Sequence, residues 1–326
     1  MTGAASGAME ATSDQRPVVV IGGPTASGKS DAAVAVAQAI GGTVINADSM
    51  QVYQELRVLS ARPDDAMMAA VPHRLFGVLP ARERCSAGRW RALATEEIDA
   101  AHRGGRVPVV AGGTGLYLKA LTEGLSLMPE IPPSVTAEAG SLMEQLGPAG
   151  FHEHLAAIDP AAAGALRPSD RQRLQRAWCV IAHTGRSIVE WQAAPAQAPP
   201  SYAFHVLHLL PPRASIYAAC DGRFARMVEA GAVEEVRALA AQALDPDLPA
   251  MKAVGVPEIM AHLRGEIDRD AMIEAGQRAT RRYAKRQYTW FRNQTAADQI
   301  LDAQFSESLL EKFFPKIRQF VLTLAG

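Results

Sequence analysis

Gly23-Pro24-Thr25-Ala26-Ser27-Gly28-Lys29-Ser30 decides the fold, because it fits G-x-x-x-x-G-K-[ST] in the context that pattern needs. Ahead of it, Val18-Val19-Val20-Ile21 is a continuous, β-branched apolar run, as expected of a strand buried on both faces. Behind it, Ala33, Val34, Ala37 and Ile40 recur at helical spacing from Ser30, and Gly41-Gly42 supplies the stop. Strand, glycine loop and helix in that order predict a phosphate cradle. Backbone N–H groups curl around phosphate oxygens, the helix N-terminus adds its dipole, Lys29 reaches the outer phosphates, and the Ser30 hydroxyl can sit on Mg²⁺. The plainer alternative is a glycine turn that only joins strand to helix.

The motif specifies phosphate, not ATP. A nucleoside-triphosphate hydrolase adds an acidic residue at the end of a second apolar strand to hold magnesium. Here Val107-Pro108-Val109-Val110 runs into Ala111-Gly112-Gly113-Thr114-Gly115 without an acid, whereas Thr43-Val44-Ile45-Asn46 ends at Asp48-Ser49. One carboxylate therefore stands near the loop, available to a metal or for proton abstraction. Phosphoryl transfer and use of a pyrophosphate leaving group both remain open on this evidence.

The 326 residues suffice for one large or two moderate domains; 48% apolar and 21% charged residues describe an ordinary globular chain. With no run of about 18 apolar residues, no membrane span is expected. Residues 1–16 read as a disordered tail, and Cys85, Cys179 and Cys220 form no pair motif, so a cytoplasmic protein is expected. Alternating strands and helices across 17–128 and 201–326 predict a parallel α/β core with C-terminal helices. Between proline-rich joints, 129–200 reads as an inserted all-helical domain.

A net charge of −1 argues weakly against a nucleic-acid partner, but local clusters can overrule the average. Arg167, Arg171, Arg173 and Arg176 share a ten-residue window. Arg278, Arg281, Arg282, Lys285 and Arg286 fall at i, i+3, i+4, i+7 and i+8, one stripe of one helix, with no acid from Gln277 to Arg292. A polyanionic partner would relieve that like-charge repulsion; a solvated helix face is the bland alternative.

Taken together, the phosphate loop, Asn46-Ala47-Asp48-Ser49-Met50-Gln51-Val52-Tyr53, Pro72-His73-Arg74-Leu75, Gly112-Gly113-Thr114-Gly115-Leu116-Tyr117, Asp170–Ala177 and Ala284-Lys285-Arg286-Gln287-Tyr288-Thr289-Trp290-Phe291-Arg292 resemble the tRNA dimethylallyltransferase (tRNA isopentenyltransferase) family of bacterial type. The loop is common to many nucleotide- and ATP-binding families; the later motifs in this order belong to one. The resemblance implies a phosphate-loop parallel sheet and transfer of a dimethylallyl group from dimethylallyl diphosphate to the exocyclic amine of the adenosine 3′ to the anticodon, with Mg²⁺ as cofactor. It implies a monomer gripping the tRNA anticodon arm. On the matching positions it implies Asp48 as general base, Thr114 at the target nucleotide and Arg223 on the pyrophosphate, with Gly23 to Ser30 around the diphosphate. The implied tRNA contacts are Asp48, Ser49, Met50, Gln51, Thr114, Thr136, Gln172, Arg173, Leu174, Gln175, Arg176, Arg281, Lys285 and Arg286.

The chain departs from the family pattern at Leu59-Ser60-Ala61-Arg62-Pro63, where Gly-Thr-Ala-Lys-Pro is common, and at Gly77, where an acid is frequent. Two rivals stand beside the family reading. One is a small-molecule or nucleotide kinase on the same fold, and the other a phosphate-loop RNA-binding regulator without catalysis.

Overall fold

The computed structural model describes residues 15–126, 128–194, 196–197 and 201–324. Most of the expected tail therefore lies outside the described residues, and Arg16, read as part of it, begins the first strand. The chain divides into two compact units, one formed by the segments before Glu123 and after Pro199, the other by Glu123–Pro199.

The first unit starts with β1 (Arg16–Gly22), α1 (Lys29–Ile40), β2 (Gly42–Asn46), α2 (Asp65–Ala70), β3 (His73–Arg74), α3 (Ala87–Arg103), β4 (Val107–Gly112) and α4 (Gly115–Thr122). The second contains β5 (Leu125–Ser126), α5 (Pro133–Ile158), α6 (Pro160–Ala165), α7 (Arg171–Thr184), α8 (Ile188–Ala193) and β6 (Ala196–Gln197). The chain then returns to the first unit with β7 (Tyr202–Leu209), α9 (Arg213–Glu229), α10 (Ala232–Ala240), α11 (Val256–Leu263), α12 (Arg269–Asn293), β8 (Gln299–Leu301) and α13 (Glu307–Leu324).

The first unit holds a six-stranded sheet of order β3-β2-β4-β1-β7-β8, parallel throughout. β1 is central, and period-two alternation sends Val18 and Val20 to one face and Val19 and Ile21 to the other, all four fully buried. Removing each from water contributes about 1.5–3 kcal/mol. The first face packs on α3, α4 and α9–α12; the second packs on the alanine-rich side of α1 and on α13. The phosphate loop, Asp48, Gly113-Thr114 and Arg223 follow β1, β2, β4 and β7, so they gather at the carboxyl edge where ligands of open α/β sheets bind.

The second unit is not all helical, since Leu125-Ser126 pairs antiparallel with Ala196-Gln197. Two-residue strands carry too little periodicity for sequence to announce them. Its core gathers Met143, Phe151, Leu155, Leu174 and Trp178, and α5 breaks at Gly147 ahead of Pro148.

The sequence reading ran to residue 326 but placed no particular element after α12; β8 and α13 complete the sheet and one core face. Asp298 secures β8 by accepting the Val206 N–H on its side chain and donating its own N–H to the Val206 carbonyl, at 2.7 and 2.8 Å. Leu309, Phe313 and Ile317, four residues apart, bury the inner face of α13. Phe313→Ala should therefore cost about 3–5 kcal/mol in urea unfolding; a loss under about 1 kcal/mol would mean that α13 only decorates the surface.

Candidate active site

Within the first unit the phosphate loop is held from behind. Ala26 and Gly28 both adopt left-handed backbone, φ 63° and 84°, the alternation by which such loops turn successive N–H groups into one concavity. Phe305 N and Gln304 Nε2 donate to the Ser27 and Ala26 carbonyls at 3.4 and 3.2 Å, so the segment after β8 braces the loop. Lys29 Nζ rests 3.3 Å from the Pro24 carbonyl. Burial brings its ammonium down to about 8, opposed by the nearby Asp48 carboxylate and reinforced by Arg223. The Arg223 guanidinium on α9 is lowered by burial too, and Asp48 again opposes.

Asp48 is placed by Asn46, a fully buried residue. The Asn46 amide donates to the Asp48 and Leu75 carbonyls, both at 3.0 Å, and its oxygen accepts the Asp48 N–H at 2.8 Å. Asp48 Oδ1 then accepts the Met50 N–H at 2.9 Å, an Asx turn that fixes the carboxylate. Oδ2 stands outside that turn, facing Gly113. Thr114 Oγ1 accepts the Ser49 N–H at 2.9 Å and lies 3.2 Å from Ser49 Oγ, tying the β4 turn to the β2 turn.

Gln287 on α12 joins the turns to the phosphate loop. Its oxygen accepts the Thr25 N–H and its amide donates to the Gly113 carbonyl, both at 2.8 Å. A Cβ at Gly113 would stand 2.4 Å from Gln287 Nε2, and one at Gly115 would stand 2.0 Å from Trp290 Cδ1, so the glycine turn admits this helix only without side chains. Tyr283, one turn earlier, lies beside Thr114 and Gln287, and burial together with the nearby Asp48 carboxylate pushes its phenol well above the ordinary range.

Some of these groups border a cavity of about 190 Å³. Thr25, Asp48, Ser49, Arg223, Tyr283 and Arg286 give it polar lining; Met50, Leu59, Phe224 and Met227 give it apolar lining. Sequence reasoning named Met50 only as a tRNA contact and missed Tyr283, Lys252, which also borders the cavity, and the rest of the apolar wall. Tyr283 could have been found from its place one turn before Gln287, but the wall residues come from separate segments that only the fold brings together.

Some sequence expectations change. Gln51 is buried, its amide donating to the Ser60 and Ala61 carbonyls at 3.0 and 3.1 Å, so its side chain shapes the neighbouring loop. Leu174 belongs to the second unit's core at 0% exposure, and Gln175 is half-buried against the Ala139 carbonyl. Thr136, Gln172, Arg173 and Arg176 are exposed. The basic stripe is partly compensated by acids outside the window considered: Arg278 pairs with Glu274, and half-buried Arg281 with Asp221 of the Arg223 turn. Arg282 and Lys285 remain exposed, and Arg286 borders the cavity. The departures at Arg62 and Gly77 form one change, since Arg62 Nη1 lies 1.9 Å from where a Gly77 Cβ would stand. The longer guanidinium occupies the space of the missing side chain and donates to the Tyr53 carbonyl at 3.3 Å.

A parallel sheet, a braced phosphate loop and a carboxylate beside an apolar cavity define a phosphate-loop transferase fold and site. The model for "IPP transferase" matches residues 51–294, and that for "Isopentenyl transferase" matches 16–76. The chain belongs to the IPP transferase family. It is 58% identical to the tRNA dimethylallyltransferase of Rhodospirillum centenum over 88% of this chain and 92% of that one. It is 53% identical to the one from Paramagnetospirillum magneticum, over 96% and 99%. Among solved structures, the full-length tRNA isopentenylpyrophosphate transferase of Bacillus halodurans is similar with a TM-score of 0.69 at 30% identity, over 95% of this chain and 98% of that one. A eukaryotic dimethylallyltransferase acting on tRNA gives 0.73 at 25% identity, over 93% and 77%.

Two measurements check this geometry. Gln287→Ala leaves two backbone groups unpaired, each worth about 1–3 kcal/mol when buried, and should weaken inorganic pyrophosphate binding about tenfold or more by calorimetry. Lys29, lowered from 10.5 to about 8, is held less protonated than in the unfolded chain, so the empty protein gains stability as pH rises through that window. An anion needs the protonated form, so pyrophosphate affinity should fall as pH rises above about 8, and Lys29→Met should lack that decline.

Proposed function

We propose that this chain transfers a dimethylallyl group from dimethylallyl diphosphate to the exocyclic amine of the adenosine 3′ to a tRNA anticodon, releasing pyrophosphate. The observation that carries this reading is the grouping of Lys29 and Arg223 around the Asp48 carboxylate, beside a cavity with an apolar wall. The relatives' names favour prenyl transfer over the kinase alternative. The acid-free end of β4 fits a loop that holds a diphosphate leaving group and hydrolyses nothing.

In the reaction the amine lone pair bonds to C1 of the allyl group as the C1–O bond breaks. The bond's electron pair leaves on pyrophosphate, and the amine proton passes to Asp48 Oδ2. Lys29, Arg223 and the loop N–H groups take up charge developing on the leaving oxygens. Asp48 removes the proton from a poorly nucleophilic aromatic amine, which accounts for about 10²–10⁴-fold. Thr114, with Tyr283 behind it, orients the target nucleotide. Mg²⁺ would be held by the Ser30 hydroxyl together with diphosphate oxygens and water. No cluster of three or more His, Cys, Asp or Glu among the described residues could cage a cation, which suits a hard ion that arrives with its substrate. When bound, it supplies further neutralisation of the diphosphate.

The target base must leave a stacked anticodon loop, at a cost of a few kcal/mol. Exposed Arg282 and Lys285 on α12 supply phosphate contacts, as do Gln172, Arg173 and Arg176 on α7 of the second unit. Among the described residues no helix is long and apolar enough to cross a membrane.

Mass spectrometry of nucleosides from unmodified tRNA incubated with enzyme, Mg²⁺ and dimethylallyl diphosphate tests the activity directly. Asp48→Ala should lower the single-turnover rate about 10²-fold or more with tRNA and donor affinities near native. Normal turnover with weakened tRNA binding would make Asp48 a binding residue only.

A further inference from the structure

The apolar wall of the cavity is built from side chains seated against glycines. Leu59 lies where a Cβ at Gly255 would approach its Cδ2 to 2.7 Å, and Phe224 lies where one at Gly276 would approach its Cζ to 2.0 Å. Each side chain therefore has glycine backbone directly behind it. The backbone carrying Leu59 is also clamped: the Glu235 carboxylate on α10 accepts the N–H groups of Arg57, Val58 and Leu59 at 2.8, 2.7 and 3.0 Å. Leu59 is one of the positions where the chain departs from the glycine common in the family pattern, so the wall here carries a side chain where that pattern has none.

At about 190 Å³ the cavity is smaller than the ~300–1,000 Å³ of pockets that take drug-sized ligands. A wall packed against glycines and pinned through its backbone resists five additional carbons, because packed cores do not deform continuously. We infer that Leu59 sets the length of the allylic tail this enzyme accepts, admitting five carbons and excluding ten. The inference rests on the reading of this cavity as the allylic diphosphate site. The chemistry is the same displacement for either donor: the N–C1 bond forms as C1–O breaks, pyrophosphate takes the electron pair, and Asp48 takes the proton.

The test uses the full chain with unmodified tRNA and Mg²⁺, offering dimethylallyl and geranyl diphosphate separately. In Leu59→Ala and Leu59→Gly the kcat/KM for geranyl relative to dimethylallyl diphosphate should rise at least about tenfold, the scale on which apolar pockets discriminate by size. Leu59→Phe should cut kcat/KM for dimethylallyl diphosphate about tenfold or more while leaving inorganic pyrophosphate affinity unchanged, because the polar side is untouched. If the smaller variants do not fold, Leu59→Val, which removes one carbon, should still raise the ratio at least about threefold. An unchanged ratio in folded variants of an enzyme that prenylates tRNA overturns the role of Leu59 and leaves the proposed function standing. A native enzyme that transfers neither group overturns the proposed function itself.

Discussion

The Gln287 side chain is the constraint on which the site depends. One planar amide, buried on α12, satisfies a donor in the phosphate loop and an acceptor in the Gly113 turn at once. Those two loops end different strands, and the Asp48 turn is tied to the second of them through Thr114. A shift of α12 by one residue would rotate the amide by about 100° and release both loops. The same helix sets Trp290 over Gly115, Tyr283 on Thr114 and Arg281 on the Arg223 turn. Every group proposed for chemistry is therefore referenced to one helix, itself packed along α9.

That dependence explains what was legible in sequence. The phosphate loop could be read because its meaning is local: strand, glycines, lysine and helix are contiguous, and β1 declares itself by four successive apolar β-branched residues. Asp48 could be read as the acid at a strand end. A motif names positions and not directions, and the side chains of Gln51 and Leu174 point inward. The Arg281–Asp221 pair spans 60 residues, so a search for compensating charge along one helix could not find it. β8 is three residues long, too short to present the period that marks a strand in a sequence, whereas α13 carries its apolar period across an interior Pro315.

The charge arrangement carries its own logic. Lys29 and Arg223 are both buried, Arg223 disfavours the charge on Lys29, and Asp48 is the compensating anion for each. The empty site is thus held in an electrostatically costly state, as functional sites with shifted pKa values commonly are. On the proposed reading, a diphosphate entering beside the two cations would relieve that cost and let both remain charged. The Asp48 carboxylate, the proposed proton acceptor, would then lose part of its compensating duty, so donor and base would act through the same three side chains.

The departures from the family pattern show that local chemistry can be exchanged as a set. A guanidinium at position 62 needs room that only a residue without a side chain at 77 leaves, and Gly77, at φ 61°, also donates its N–H to the Gln51 carbonyl at 2.8 Å. Arg62, Gly77 and Gln51 therefore form one packed unit beneath the Asp48 turn, and neither departure can be judged alone. Restoring a lysine at 62 without a side chain at 77 would leave a void, and adding a side chain at 77 without shortening Arg62 would force an overlap. Leu59 stands at the other end of that segment, held by Glu235, so the stretch from Arg57 to Arg62 is fixed at both ends. A cavity wall anchored in this way can discriminate by size, because a longer ligand must displace the whole segment and not a single side chain.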